Sequence, residues 1–164
     1  MIVVCDTSPI INLAAIEQID LLKALFGMIT VPEAVWAELC DEDRPWPGQR
    51  DVLAASWISR AAGGDQALMR SLERDLHSGE AQAIALAIEL DADLIVLDER
   101  EGRRAATHLG LRVVGVVGLV LEAKTRGLVA AARPLLDDLR NRAGFYLSED
   151  VYRHALDLAG ELSD

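Results

Sequence analysis

Cysteine is scarce in this chain. Cys5 and Cys40 lie far apart, with no paired spacing for structural zinc or redox work. Aromatic residues make up only 4 % against an apolar share of 51 %. The core must therefore be aliphatic and alanine-rich, which suits helices packed on a sheet and excludes disorder. No apolar run approaches the roughly 20 residues of a membrane span. Met1 leads directly into an apolar strand rather than a charged signal region, so a cytoplasmic location with no membrane partner is expected. Positive charge is also in deficit, with 16 basic against 27 acidic residues and a net charge of −11. Phosphate binding calls for a basic footprint. RNA would have to be held by a local arginine patch beside a metal.

Several nucleotide and phosphoryl classes lack their motifs here. DTSPIIN stands after the first strand where a dinucleotide fold needs G-x-G-x-x-G, and no Walker A motif occurs. An aspartyl-phosphate phosphatase carries a second Asp two residues after its first, a place held here by Ser8. A receiver domain would need an adjacent acidic pair near the first strand.

What is present is a regular alternation of strands and helices over 164 residues, enough for one domain with a sizeable core. Ile2–Cys5 reads as a buried strand, followed by a turn in which Ser8 caps a helix whose first position is Pro9. A second helix runs from Ile16 to Phe26 and stops at Gly27. Met28–Val31 is a short strand, and Pro32 starts a helix carrying Val35, Trp36 and Leu39 on its apolar face and Glu38 on another. Asp41–Asp51, with Pro45, Trp46, Pro47 and Gly48, reads as a surface loop or flap. A strand at Ser56–Ser59, a turn at Ala61–Gly64 and an amphipathic helix over Asp65–His77 follow. Gly79–Leu90 is a helix rich in small residues. It feeds the apolar run Leu94–Leu97, which has the continuous character of a parallel strand covered on both faces. A charged helix over Glu101–Leu109, a strand at Leu111–Val114 and a helix to about Arg126 come next. Two further helices, within 129–162, close the chain. The fold expected is α/β, a three-layer α/β/α sandwich with a central parallel sheet and packed C-terminal helices.

Four acids take related addresses in that fold. Asp6 ends the first strand and Asp98 the strand after the small-residue helix; Glu80 opens that helix, and Glu38 lies on the helix after the second strand. Carboxyl ends of parallel strands and helix N-termini are where open α/β folds bind ligands. Hard cations such as Mg²⁺ and Mn²⁺ take such oxygen ligands. Ser8 would hold a metal-bound water or a phosphate near a helix start. Glu38 is either a ligand, an outer partner or an ordinary solvated residue. Glu99 and Glu101 read as first-turn acids favoured by the helix dipole, and Asp91 and Asp93 as turn formers. Arg100, Arg103 and Arg104 follow Asp98 directly and either guide phosphate or form a solvated face. His77, His108 and His154 show no pairing at ligand spacing. Trp36 reads as core, while Trp46 and Trp57 have no assigned place.

VVCDTSPIINLAAI, VPEAVWAEL and GEAQAIALAIELDADLIVLDER together resemble the PIN-domain nucleases, and more closely the short prokaryotic VapC-like subgroup. The resemblance covers nearly the whole chain, including LRVVGVVGLVLEAKTRGLV. It implies a parallel sheet with helices on both faces and Mg²⁺- or Mn²⁺-dependent endonucleolytic cleavage of RNA. Asp6, Glu38, Glu80 and Asp98 match the family's acidic cluster. Of these, Asp6, Glu80 and Asp98 would hold metal, and Ser8, Arg100 and Arg103 would contact substrate. It also implies a protein antitoxin as partner and a homodimer. Many of the family carry Asp where this chain has Glu80, and the last acidic position falls on Glu101 or is missing. The alternative expectation is a non-catalytic PIN-like module that binds protein or RNA through a degenerate acidic site.

Overall fold

The structure, a computed structural model, describes residues 1–163. The chain runs β1 (Val3–Cys5), α1 (Thr7–Ala15), α2 (Asp20–Phe26), β2 (Ile29–Pro32), α3 (Glu33–Leu39), α4 (Gln49–Leu53), β3 (Ile58–Ala61), α5 (Gln66–Leu72) and α6 (Ser78–Glu89). It continues through β4 (Leu94–Val96), α7 (Arg100–His108), β5 (Val113–Val114), α8 (Val116–Thr125), α9 (Arg133–Asn141) and α10 (Glu149–Leu158). Five strands form one sheet in the order β3-β2-β1-β4-β5, and every pairing is parallel. This is the expected three-layer sandwich.

Strand alternation sorts the core into two sides. Val3, Cys5 and Val96 face a cluster built with α1, α2, α8, α9 and α10. Val4, Ile95 and Leu97 face α6 and Ala106 of α7 on the other side. Alanines at 83, 85 and 87 of α6 are fully buried, and their small size lets the helix lie close on the sheet. Among the described residues no helix is long and apolar enough to cross a membrane.

Local boundaries depart from the sequence pattern where hydrogen bonding overrides it. Asp6, not Ser8, occupies the N-cap of α1, so Pro9 sits at the third helical position. Its missing N–H costs nothing there, because first-turn amides have no intrahelical acceptor. Helix α2 begins at Asp20 rather than Ile16, after Glu17 takes a positive φ of 58°. The 41–51 segment is pinned rather than a flap. The Trp46 indole and the Gln49 amide both donate to the Leu39 carbonyl at 3.2 and 2.8 Å, closing the end of α3, and α4 starts at Gln49. Strand β3 is displaced two residues, to Ile58–Ala61, by its pairing with Ile29–Pro32. Helix α5 ends at Leu72, and α10 ends at Leu158.

The C-terminal helices share the main core. Leu136, Leu139 and Leu156 lie in one cluster with Val3 and Cys5 of the central strand. Glu161 fastens them by accepting from the Ala132 and Arg133 amides and from Lys124 Nζ at 2.9 Å. Leu136→Ala is expected to cost about 2–5 kcal/mol and to lower one cooperative thermal transition of the whole chain. Two separate transitions in calorimetry would instead make 129–162 an independent unit.

Candidate active site

Strand order reverses its direction of growth at β1. The chain moves from β1 to β2 and β3 on one side, then returns to place β4 and β5 on the other. Asp6 and Asp98 leave the carboxyl ends of the adjacent strands β1 and β4, at the crevice such a switch point opens. The Asp6 amide still donates to Val96 O at 3.0 Å, so the first acid is locked to the neighbouring strand.

A pocket of about 510 Å³ opens there, lined by Asp6, Glu38, Glu80 and Glu99, with Ser8, Asn12 and His77 around them. Two glycines make room for the acids. A Cβ on Gly79 would stand 2.7 Å from Glu38 Oε1 and 3.5 Å from Asp6 Oδ1, so both oxygens converge on the bare backbone at the start of α6. A Cβ on Gly102 would stand 2.6 Å from Glu80 Oε2.

Asp6 and Glu80 are both 5 % exposed, which is costly for carboxylates without a counter-charge. Burial raises the Asp6 pKa to about 7, helped by Glu80, Glu38 and Asp98 and opposed by the Thr7 amide. Burial likewise raises Glu80; the His77 amide lowers it, and Glu99 raises it further. Glu80 Oε1 accepts from the His77 amide at 3.4 Å, whereas Oε2 is buried with no partner. The hydroxyls of Thr7 and Ser8 are buried and unpartnered as well.

Asp98 divides its two oxygens. Oδ1 accepts from the Val116 amide at 2.8 Å at the start of α8, and Oδ2 is buried without a partner. Burial raises its pKa to about 6, against the Val116 amide and Arg103. Asp98 opens not into the Asp6 pocket but into a second groove, shared with Arg100 and Arg103.

A family model described as a PIN domain matches residues 2–161. The chain belongs to the PIN-domain family. No curated protein matches it. PIN domains are generally nucleases that act on nucleic acid and typically use divalent metal ions, so this chain carries a nuclease-like fold.

The residues singled out in the sequence are only partly brought together. Asp6, Glu38 and Glu80 share one pocket with Ser8, while Asp98 lies beside it with one free oxygen. Ser8 is therefore a pocket hydroxyl and not a helix cap. Glu99, read from sequence as a dipole acid, lines the acidic pocket as the N-cap of α7. Glu101 lines a different cavity and faces Arg104 at 3.7 Å. Arg103 is partly committed, since Nη1 donates to Leu97 O at 3.1 Å. His77 reaches the pocket rim, a placement without any sequence pairing to reveal it. Asn12 was readable, because it lies four residues after Ser8 and shares its helical face. The three tryptophans pack against the core rather than forming an open stacking surface.

Among the described residues no three metal-ligating side chains form one compact group. The donors nevertheless suit a hard cation that keeps most of its water and takes one or two carboxylates directly. The unpartnered Glu80 and Asp98 oxygens are what such hydrated coordination would satisfy.

Both aspartates have folded pKa values above their ordinary 3.8. The folded state thus binds more protons than the unfolded one between about pH 4 and 7. Its stability without metal should be greatest below that window and fall as pH rises through it, by up to about 1.4 kcal/mol per pH unit per proton. Thermal melts in chelator should show that decline, flattened in Asp6→Asn. A wild-type profile level from pH 4 to 8 would contradict the electrostatic account.

Proposed function

We propose that the chain is a metal-dependent endoribonuclease hydrolysing RNA phosphodiester bonds, and the toxin of a toxin–antitoxin pair. The observation that carries the nuclease part is the burial of Asp6 and Glu80 around one pocket, with Glu80 Oε2 left unpartnered. Carboxylates crowded in this way are relieved by protons or by a cation, and PIN domains typically use a divalent cation. Asp6, Glu80 and Asp98 would hold Mg²⁺ or Mn²⁺, with Glu38 and Glu99 as outer acceptors for its waters. When bound, the cation supplies a water of lowered pKa and offsets charge on the phosphate. The Ser8 and Asn12 side chains, on one face of α1, would orient that water or a phosphate oxygen. The toxin role and a homodimer are supported by the likeness of the motifs to the VapC-like subgroup, as is an antitoxin covering the acidic pocket.

One observation favours a second possibility, a non-catalytic module that binds protein or RNA. The acids do not gather into a three-ligand group among the described residues, and Glu80 replaces the shorter Asp of many relatives.

Titration calorimetry with Mn²⁺ and Mg²⁺ separates the two. Wild type should bind saturably, and Asp6→Asn and Glu80→Gln should each weaken binding at least about tenfold, which is ~1.4 kcal/mol. Cleavage of total RNA should fall by roughly 10²–10³ in the same variants. Absence of binding at millimolar metal would favour the non-catalytic module.

A further inference from the structure

The groove beside the acidic pocket has a composition that the acids do not explain. It encloses about 760 Å³ and runs from Asp98 past Arg100, Arg103 and Arg104 of α7 to Tyr146 and Val151. In a chain of net charge −11, its lining holds three guanidinium groups against one carboxylate; Arg103 is bonded to Leu97 O, Arg104 faces the exposed Glu101 at 3.7 Å, and Arg100 has neither engagement. The same groove is lined by Tyr146, at 86 % exposure the most open of the large apolar side chains among the described residues.

Tyr146 is not exposed because its segment is loose. Its neighbours hold it out. Phe145 packs against the core, and its amide donates to Leu139 O at 2.9 Å. Leu147 is buried, and its carbonyl accepts two bonds from Arg140, at 3.1 and 2.8 Å. Arg140 is itself stacked over the Tyr152 ring at 4.3 Å. The segment from 145 to 147 therefore alternates in, out, in. The phenol ring stands in water between two anchored residues, so the backbone that carries it is already ordered when a flat partner covers it.

An aromatic face held open beside arginines is a combination suited to single-stranded nucleic acid, whose bases stack while guanidinium groups take phosphates. A duplex keeps its base faces occupied and could not use the ring. We propose that this groove binds the single-stranded RNA flanking the scissile phosphate, with an unpaired base stacked on Tyr146 and Arg100 and Arg104 on its phosphates. The inference rests on the nuclease reading of the acidic site, which the groove adjoins through Asp98. Few phosphates are neutralised, so affinity should fall only weakly with salt, by about 0.7 log unit per log unit of salt for each phosphate contacted.

The test is fluorescence anisotropy with a labelled oligouridylate of about ten nucleotides, with Ca²⁺ replacing Mg²⁺ to slow turnover. Cleavage in Mg²⁺ is measured on the same proteins. Tyr146→Ala should weaken binding about tenfold, and Tyr146→Phe should restore it to within about twofold, because stacking needs the ring and not the hydroxyl. Both variants should melt with wild type, and Tyr146→Ala should leave binding of a fully paired duplex unchanged. If wild type binds and cleaves RNA and Tyr146→Ala does so equally well, the stacking site is wrong while the nuclease function stands. If wild type neither binds nor cleaves RNA, both fall. A wild-type dimer that Tyr146→Ala dissociates, with RNA affinity intact, would make the groove a protein interface and overturn the proposal.

Discussion

Carboxylates are crowded into a place where charge is expensive. Strand β1 lies mid-sheet, between β2 and β4, so its final acid emerges with protein on both sides. Asp6 is buried for that reason, and Glu80 is brought against it by the start of α6. Glycines at 79 and 102 leave open the space that a Cβ would take from the carboxylate oxygens of Glu38, Asp6 and Glu80. Without a cation, the arrangement drives protons onto Asp6 and Asp98 near neutral pH. The fold thus holds a cluster of acids that works against its own stability as pH rises.

Helix α7 divides the surroundings of that crowding into two chemical territories. Its N-cap, Glu99, serves the acidic pocket, and its first two turns present Arg100, Arg103 and Arg104 to the adjoining groove. Asp98 precedes it and lines the groove, anchoring α8 through Val116 with one oxygen and leaving the other buried without a partner. Arg103 steadies this boundary through the Leu97 carbonyl and lowers the pKa of Asp98. An acidic pocket and an arginine-lined groove are therefore one helix apart.

The last two helices contribute more than bulk. They join the core that includes Val3 and Cys5, and Glu161 ties their ends to α8 and to the start of α9. The turn between them is where Arg140 fixes the Leu147 carbonyl, leaving Tyr146 exposed in the groove that the arginines also line. That aromatic has no periodicity or motif around it, and nothing in the local sequence separates it from an ordinary surface tyrosine.

Continuous apolar runs closed by acids, VVCD and LIVLD, were enough to place two buried strands and the acids at their ends, and the structure added that the strands are neighbours. A strand covered on both faces has no polar alternation, and its first charged residue marks where cover stops. The spacing of small residues after Gly79 likewise determined a close-packed helix opening on Glu80. Tertiary structure alone decided which acids meet. Glu99 and Glu101 look alike in sequence, but only the N-cap residue lines the pocket, because the direction of α7 is set by its packing against α6 and β5. It also decided that Trp46 and Gln49 close the end of α3 rather than leaving a flap, since the carbonyl of Leu39 needed partners seven and ten residues away. Hydrophobic pattern is local and so can be read along a chain. The convergence of side chains on one crevice depends on crossover directions that no short stretch encodes.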